Sequence, residues 1–183
     1  YNRDNLKDDM WGYNRYTKQT VNIGSAFLQN EWKNEKWSIL LGGRLDKHNL
    51  INHVIFSPRA NLRFNPSEDI NLRLSYSSGF RAPQAFDEDL HIENVGGTVS
   101  MIERAKNLKE EKSQSFSASA DMYHRFGAFQ VNFLVEGFYT RLSDVFVLEN
   151  IGERDGILIK ERRNGSGAKV LGLSMEGKMA YLS

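Results

Sequence analysis

The tightest constraint in this sequence is a side-chain alternation of period two through residues 57–83, SPRANLRFNPSEDINLRLSYSSGFRAP. Pro58, Ala60, Leu62 and Phe64 point one way, and Ser57, Arg59, Asn61 and Arg63 the other. Ile70, Leu72, Leu74 and Tyr76 then share a face opposite Asn71, Arg73, Ser75 and Ser77. A strand throws successive side chains to opposite sides, so this period marks a sheet with one apolar and one polar face. Between the two runs, Asn65-Pro66-Ser67-Glu68-Asp69 is turn chemistry: proline presets φ, and Asn, Ser and Asp bond their own backbone. The polar face carries Arg59, Arg63 and Arg73, so the two faces must meet different media.

The same period recurs along the chain. It predicts strands at 20–32, 37–46, 54–64, 70–78, 113–123, 129–141, 157–163 and 168–178, with polar loops at 1–19 and 79–112. Asn164-Gly165-Ser166-Gly167 predicts a tight hairpin, because Asn and Gly accept positive φ. No segment has a helical period, although one helical turn near 85–91 fits the composition. Connections alternate short and long, which places the short turns at one end of the strands and the long loops at the other. Several strands run to about 9–13 residues, where ordinary strands average about 5–6.

Composition limits the alternatives. Lys and Arg number 24 and Asp and Glu 23 in 183 residues, a net charge of +1, and no basic stripe alternates with aromatics, so nucleic acid is not an expected partner. Cysteine is absent, which excludes disulfides and thiolate metal sites. Mean hydropathy is −0.53 and no apolar run approaches the roughly 18–20 residues of a membrane helix. The chain opens in polar sequence without a signal peptide and reads as a piece of something longer.

Alternating barrel strands have unremarkable mean hydropathy, so a membrane barrel survives these limits. Strands tilted about 45° need roughly 9–11 residues to cross the hydrocarbon layer. Barrels also segregate short turns from long loops. Trp32, Trp37, Phe64, Tyr123 and Phe126 near the short turns suit an interface girdle. Leu62, Phe64, Leu72, Leu74, Phe116, Met122, Val131, Phe133 and Val135 would face lipid, and Arg44, Arg59, Arg63 and Arg73 the lumen. The rival is a soluble β-sandwich binding module, for example for carbohydrate, which explains alternation but not the long strands or the one-sided loops.

The stretch 72–91 resembles the mid-barrel signature of TonB-dependent outer-membrane receptors. Tyr76-Ser77-Ser78-Gly79-Phe80-Arg81-Ala82-Pro83 is followed by Phe86-Asp87-Glu88-Asp89-Leu90. Asn107-Leu108-Lys109-Glu110-Glu111-Lys112-Ser113 is similar to the family's approach to the next strand, with Glu110 where Pro is common. Gly137-Phe138-Tyr139-Thr140, Ala26-Phe27-Leu28-Gln29 and Gly43-Arg44-Leu45-Asp46 resemble other strands, so the likeness covers roughly 22–176. It implies an all-β antiparallel meander of about eight long strands, 1–183, within a transmembrane β-barrel of about 22 strands. It further implies outer-membrane lipid outside, import of a scarce small-molecule ligand (iron-siderophore, haem, cobalamin or glycan), and TonB acting through a plug and an N-terminal box. Neither plug nor box is recognisable in 1–183, so this segment alone is not expected to transport. Its outer strand edges are expected to recruit another strand.

Candidate ligand residues lie in the loops: Arg81, Asp87, Glu88, Asp89, His91 and Glu93, with Trp11 and Tyr13 as stacking aromatics. The acidic group matches no metal-binding loop and reads equally as a solvated acidic loop. The arginines of the polar face could attract an anion or acidic plug residues, or pair within the wall with Asp46, Asp121 and Glu136. No cofactor, metal site or catalytic constellation is expected: the glycine pairs lack a following Lys-Ser/Thr, and the four histidines lack an adjacent nucleophile.

Overall fold

The computed structural model describes residues 1–11, 15–84, 93–95 and 98–181. Twelve strands follow in order: β1 (Asn2–Met10), β2 (Arg15–Lys33), β3 (Trp37–His48), β4 (Val54–Ser67), β5 (Ile70–Arg81), β6 (Glu93–Val95), β7 (Thr98–Arg104), β8 (Glu111–Phe126), β9 (Phe129–Ser143), β10 (Phe146–Arg154), β11 (Ile157–Asn164) and β12 (Ala168–Tyr181). Eight of them form one antiparallel sheet, β1-β2-β3-β4-β5-β8-β9-β12. The other four form a second sheet, β10-β11-β7-β6, in which β11 and β7 run parallel.

The large sheet is the predicted meander, and its register sorts the side chains as the alternation requires. Leu62, Leu74, Ala118, Gly137 and Leu173 stand in one cross-strand row, and Phe64, Leu72, Ala120, Val135 and Met175 in the next. Trp37, Phe64, Phe126, Phe129 and Tyr181 gather on this apolar face near the short turns, with Trp37 and Phe64 stacked at 4.0 Å. Tyr123 does not join them: it pairs with Asn132 on the polar face and its hydroxyl donates to Asp121 Oδ2 at 3.1 Å. A second aromatic row, Tyr76, Phe116 and Tyr139, lies ten residues up β8 from Phe126. At about 3.3 Å per residue and a tilt near 40°, that separation is about 25 Å, the height of a barrel's apolar band.

Among the described residues no second layer covers the apolar face. Leu74, Phe116, Leu171 and Met175 all remain at least half exposed. A sandwich would bury that face against a partner sheet, so the soluble-module reading fails. No helix among the described residues is long and apolar enough to cross a membrane; only the strands could do so.

Three short connections close one end: 34–36, 68–69 and Gly127-Ala128, the last with Gly127 at φ +59°. Asn34 shapes the first, its Oδ1 accepting the N–H groups of Lys36 and Trp37 at 3.0 and 2.8 Å. The connections 49–53, 82–110 and 144–167 lie at the other end.

Four expectations need correction. Residues 1–19 are not a loop: β1 pairs with the outer half of β2, from Asn2↔Ile23 to Met10↔Arg15, while β3 takes β2 only from Ile23 onward. Residues 157–163 are not a wall strand, since β11 pairs with β10 and β7, and β12 pairs with β9. The stretch 164–167 is thus no hairpin turn, and neither Gly165 nor Gly167 has positive φ. The predicted loop 79–112 begins inside β5 and contains β6 and β7.

Candidate functional site

The long-loop end is built from two connections that pair with each other. β10 and β11 form a hairpin across Asp155-Gly156, where both residues take positive φ. β11 then aligns with β7 from Ile157↔Val99 to Arg162↔Arg104. Ile102 and Ile159 are buried in this small sheet, and Arg154 Nη1 reaches Glu103 Oε1 at 3.1 Å.

Asn164 fastens the sheet to the wall. Its Oδ1 accepts from Lys109 N–H at 2.7 Å, and its Nδ2 donates to the carbonyls of Asp144 and Lys109 at 2.7 and 3.1 Å. Phe146 N–H donates to Glu111 Oε2 at 3.0 Å. Beside these, Glu110 is nearly buried between Lys112 Nζ at 3.0 Å and His53 Nε2 at 3.2 Å. Burial alone would raise its carboxyl. A hydrogen bond from its own backbone N–H, the bond from Lys112, and the charges of Lys112 and His53 outweigh burial and hold it below the ordinary glutamate value.

The predicted ligand residues fall into separate places. Arg81 ends β5 opposite Glu111, with its guanidinium 5.5 Å from the centre of the Phe146 ring. Trp11 follows β1 and is 88% exposed. Residues 15–22 of β2 extend past the partner strand β3, so the hairpin carries Trp11 about 25 Å beyond the wall at 3.3 Å per residue. Arg81 stands at the wall's rim, and the two are not neighbours. Glu93 lies in β6. Tyr13, Asp87, Glu88, Asp89 and His91 lie outside the described residues. Glu110 and Asn164 were not among the predicted residues; the only sequence signal for Glu110 was that it stands where proline is common.

On the polar face, Arg44 Nε reaches Asp46 Oδ2 at 2.7 Å, and Ser25 Oγ donates to Asp46 Oδ1 at 2.6 Å. Among the described residues the other expected wall pairings do not form. Asp121 accepts from Tyr123 and Asn132 instead, and Arg73 Nε donates to Asn71 Oδ1 at 2.7 Å. Phe27, Gln29, Arg44, Ser57, Arg59 and Ser75 line a polar hollow of about 530 Å³ on this face.

An uncovered apolar face, a polar opposite face and one-sided loops define a sector of a transmembrane β-barrel. The family of TonB dependent receptor-like beta-barrels matches residues 1–181, and the chain belongs to that family. Members are outer-membrane receptors, and the place of this chain is the outer membrane of a Gram-negative bacterium. Similar solved structures include the siderophore receptor PirA from Pseudomonas aeruginosa, at TM-score 0.73 and 17% identity over 88% of this chain and 32% of that one. The FrpB iron transporter from Neisseria meningitidis gives 0.65 and 16%, over 91% and 25%. The hemophore receptor HasR from Serratia marcescens, solved with its hemophore HasA and heme, gives 0.69 and 14%, over 89% and 32%. The chain spans about a quarter to a third of the length of these structures. No curated protein matches the sequence.

Proposed function

We propose that this chain is one sector of the wall of a transporter that imports a scarce ligand across the outer membrane, a transport protein and not an enzyme. Its polar face, with Arg44, Arg59, Arg63 and Arg73, looks into the bore, and its long-loop end forms part of the ligand mouth outside the cell. The observation that carries this is the second sheet: 82–110 and 144–167, distant in sequence, knit into one structured rim at the end opposite the short turns. Barrels put their long loops on the outside, where ligand arrives. Arg81 at the rim, Trp11 on the projecting hairpin and Glu93 in β6 are the described candidates for ligand contact; Tyr13, Asp87, Glu88, Asp89 and His91, outside the described residues, belong to the same proposal.

Iron chelates, a siderophore or haem, are the first ligand class to test, because PirA is a siderophore receptor, FrpB an iron transporter and HasR a hemophore receptor solved with heme. Cobalamin and glycans complete the set. TonB would engage the receptor through its plug and N-terminal box, and the outer edges of β2 and β12 would pair with further barrel strands, with self-association the outcome when those are lacking. The test is uptake of labelled ferric siderophore, haem, cobalamin and oligosaccharide by cells whose only such receptor carries this chain, with and without TonB. TonB-dependent uptake of one class, abolished when 93–104 is replaced by a short Gly-Ser linker, is expected. Uptake indifferent to TonB would overturn the proposal.

A further inference from the structure

At the long-loop end the apolar face finishes in a basic row. One rung above the aromatic row of Tyr76, Phe116 and Tyr139, the same face carries Ser78, Gln114, Arg141 and Lys169 on β5, β8, β9 and β12. One rung of strand, at about 3.3 Å per residue and a tilt near 40°, puts this row about 5 Å beyond the aromatics. Aromatic belts sit at headgroup level, so the basic row lies among the headgroups. Arg141 and Lys169 stand directly opposite each other. Like charges in that position repel, so the wall by itself gains nothing from the pair. Both side chains are exposed, and among the described residues neither has an ion pair. Lys112, one rung higher on β8, is already held by Glu110 at 3.0 Å. Along β8, β9 and β12 this face has no Asp or Glu to answer the charge.

Below the pair the face is hollow. The small residues Ala60, Ala118 and Gly137 lie between Leu62, Leu74 and Tyr139 and leave a groove of about 770 Å³. It shares Leu62, Leu74 and Ala118 with a second hollow of about 490 Å³ that reaches Ala120 and Val135. A Cβ on Gly137 would meet nothing nearer than 3.8 Å, so this glycine leaves open space. Along β9, Arg141 to Val135 spans about 15 Å at the same rise and tilt. One leaflet of hydrocarbon has that depth, half of a core about 30 Å thick. We infer that Arg141 and Lys169 hold the phosphate of an outer-leaflet lipid whose acyl chain lies in the groove over Ala118 and Gly137. A guanidinium beside an ammonium suits a phosphate, whose oxygens accept from both. The groove beneath selects a lipid over a free anion. The inference rests on the long-loop end lying outside the cell.

The experiment measures, by native mass spectrometry, the lipid A retained by the full-length receptor in mild detergent. Lipid A and its dephosphorylated form are added in parallel, and Lys33→Gln, at the short-turn end, is the control variant. The parent and the control should hold lipid A and not the dephosphorylated form. Arg141→Gln combined with Lys169→Gln should hold about thirtyfold less, the effect of two cations at a lipid surface. Arg141→Lys, which keeps the charge, should hold nearly as much as the parent. Gly137→Leu, which fills the groove and leaves both cations, should also lower retention. Equal retention of the two lipids, or unchanged retention in the double variant or in Gly137→Leu, would overturn the proposal. Loss of lipid A on adding millimolar inorganic phosphate would also overturn it, because it would show a site for a small exchangeable anion. Labelling of Asp155→Cys by a membrane-impermeant maleimide on intact cells tests the orientation separately. A receptor that is labelled there and holds no lipid A would sink this inference alone.

Discussion

Gly167 and Gly43 show how differently two glycines can be constrained. A Cβ on Gly167 would lie 2.5 Å from the carbonyl oxygen of Leu142, and backbone cannot step aside cheaply. A Cβ on Gly43 would lie equally close to Phe56, but Phe56 is an exposed side chain on the apolar face and can swing away. Gly167→Ala should therefore destabilise the junction of β11 and β12 by about 1–3 kcal/mol, the usual cost of overpacking, and Gly43→Ala by clearly less. Thermal unfolding of the two variants in detergent measures the difference. Glu110 makes a pH prediction. Its carboxyl is held below the ordinary value, so its contribution is present above the unfolded glutamate value of about 4.3 and is lost as pH falls through the lower folded one. Amide exchange around 49–53 and 110–112 should quicken over that acid range, and Glu110→Gln should show the quick exchange already at neutral pH. The backbone N–H that helps hold Glu110 is one that proline would lack, which gives a physical meaning to the departure noted at this position.

Among the elements, the wall strands were legible and the rim was not. In β4, β5, β8 and β9 one face must be apolar and the other polar, so the period of two is written into the residues. β1 has water on both sides over most of its length, and Asn2, Arg3, Asp4, Lys7, Asp8 and Asp9 carry no period. β7 and β11 find each other across more than fifty residues in a parallel pair, for which no turn motif exists to read. Reading Asn164 and Gly167 as a hairpin gave the right break in the strand and the wrong reason. Asn164 is there for its side chain, which joins three chain segments. Asn164→Ala removes those bonds and leaves backbone groups without partners, a loss of about 1–3 kcal/mol of local stability. Hydrogen exchange should accelerate in 105–111, 144–147 and β11, while β3 to β5 stay protected; uniform acceleration would mean that Asn164 supports the whole wall. Of the candidate ligand residues, Arg81 was read as a loop residue and instead ends β5, because the alternation fades at Ser77-Ser78-Gly79 before the strand does; the acidic run has no period to place it.

For the whole molecule, everything turns on which medium meets each face. Leu171, Leu173, Met175 and their neighbours make a continuous uncovered apolar surface, far beyond the few hundred Å² that soluble monomers expose. These 183 residues hold no cysteine, so a single cysteine placed in them and labelled with a nitroxide has no competing thiol within the sector. The direct test is a scan of β8 from position 115 to 122 in the full-length receptor reconstituted in bilayers. Labels at 116, 118, 120 and 122 should collide freely with dissolved oxygen, which concentrates among acyl chains, and labels at 115, 117, 119 and 121 should not, giving a period of two. Even-numbered positions shielded from oxygen, as a second protein layer would make them, would contradict a lipid-facing wall.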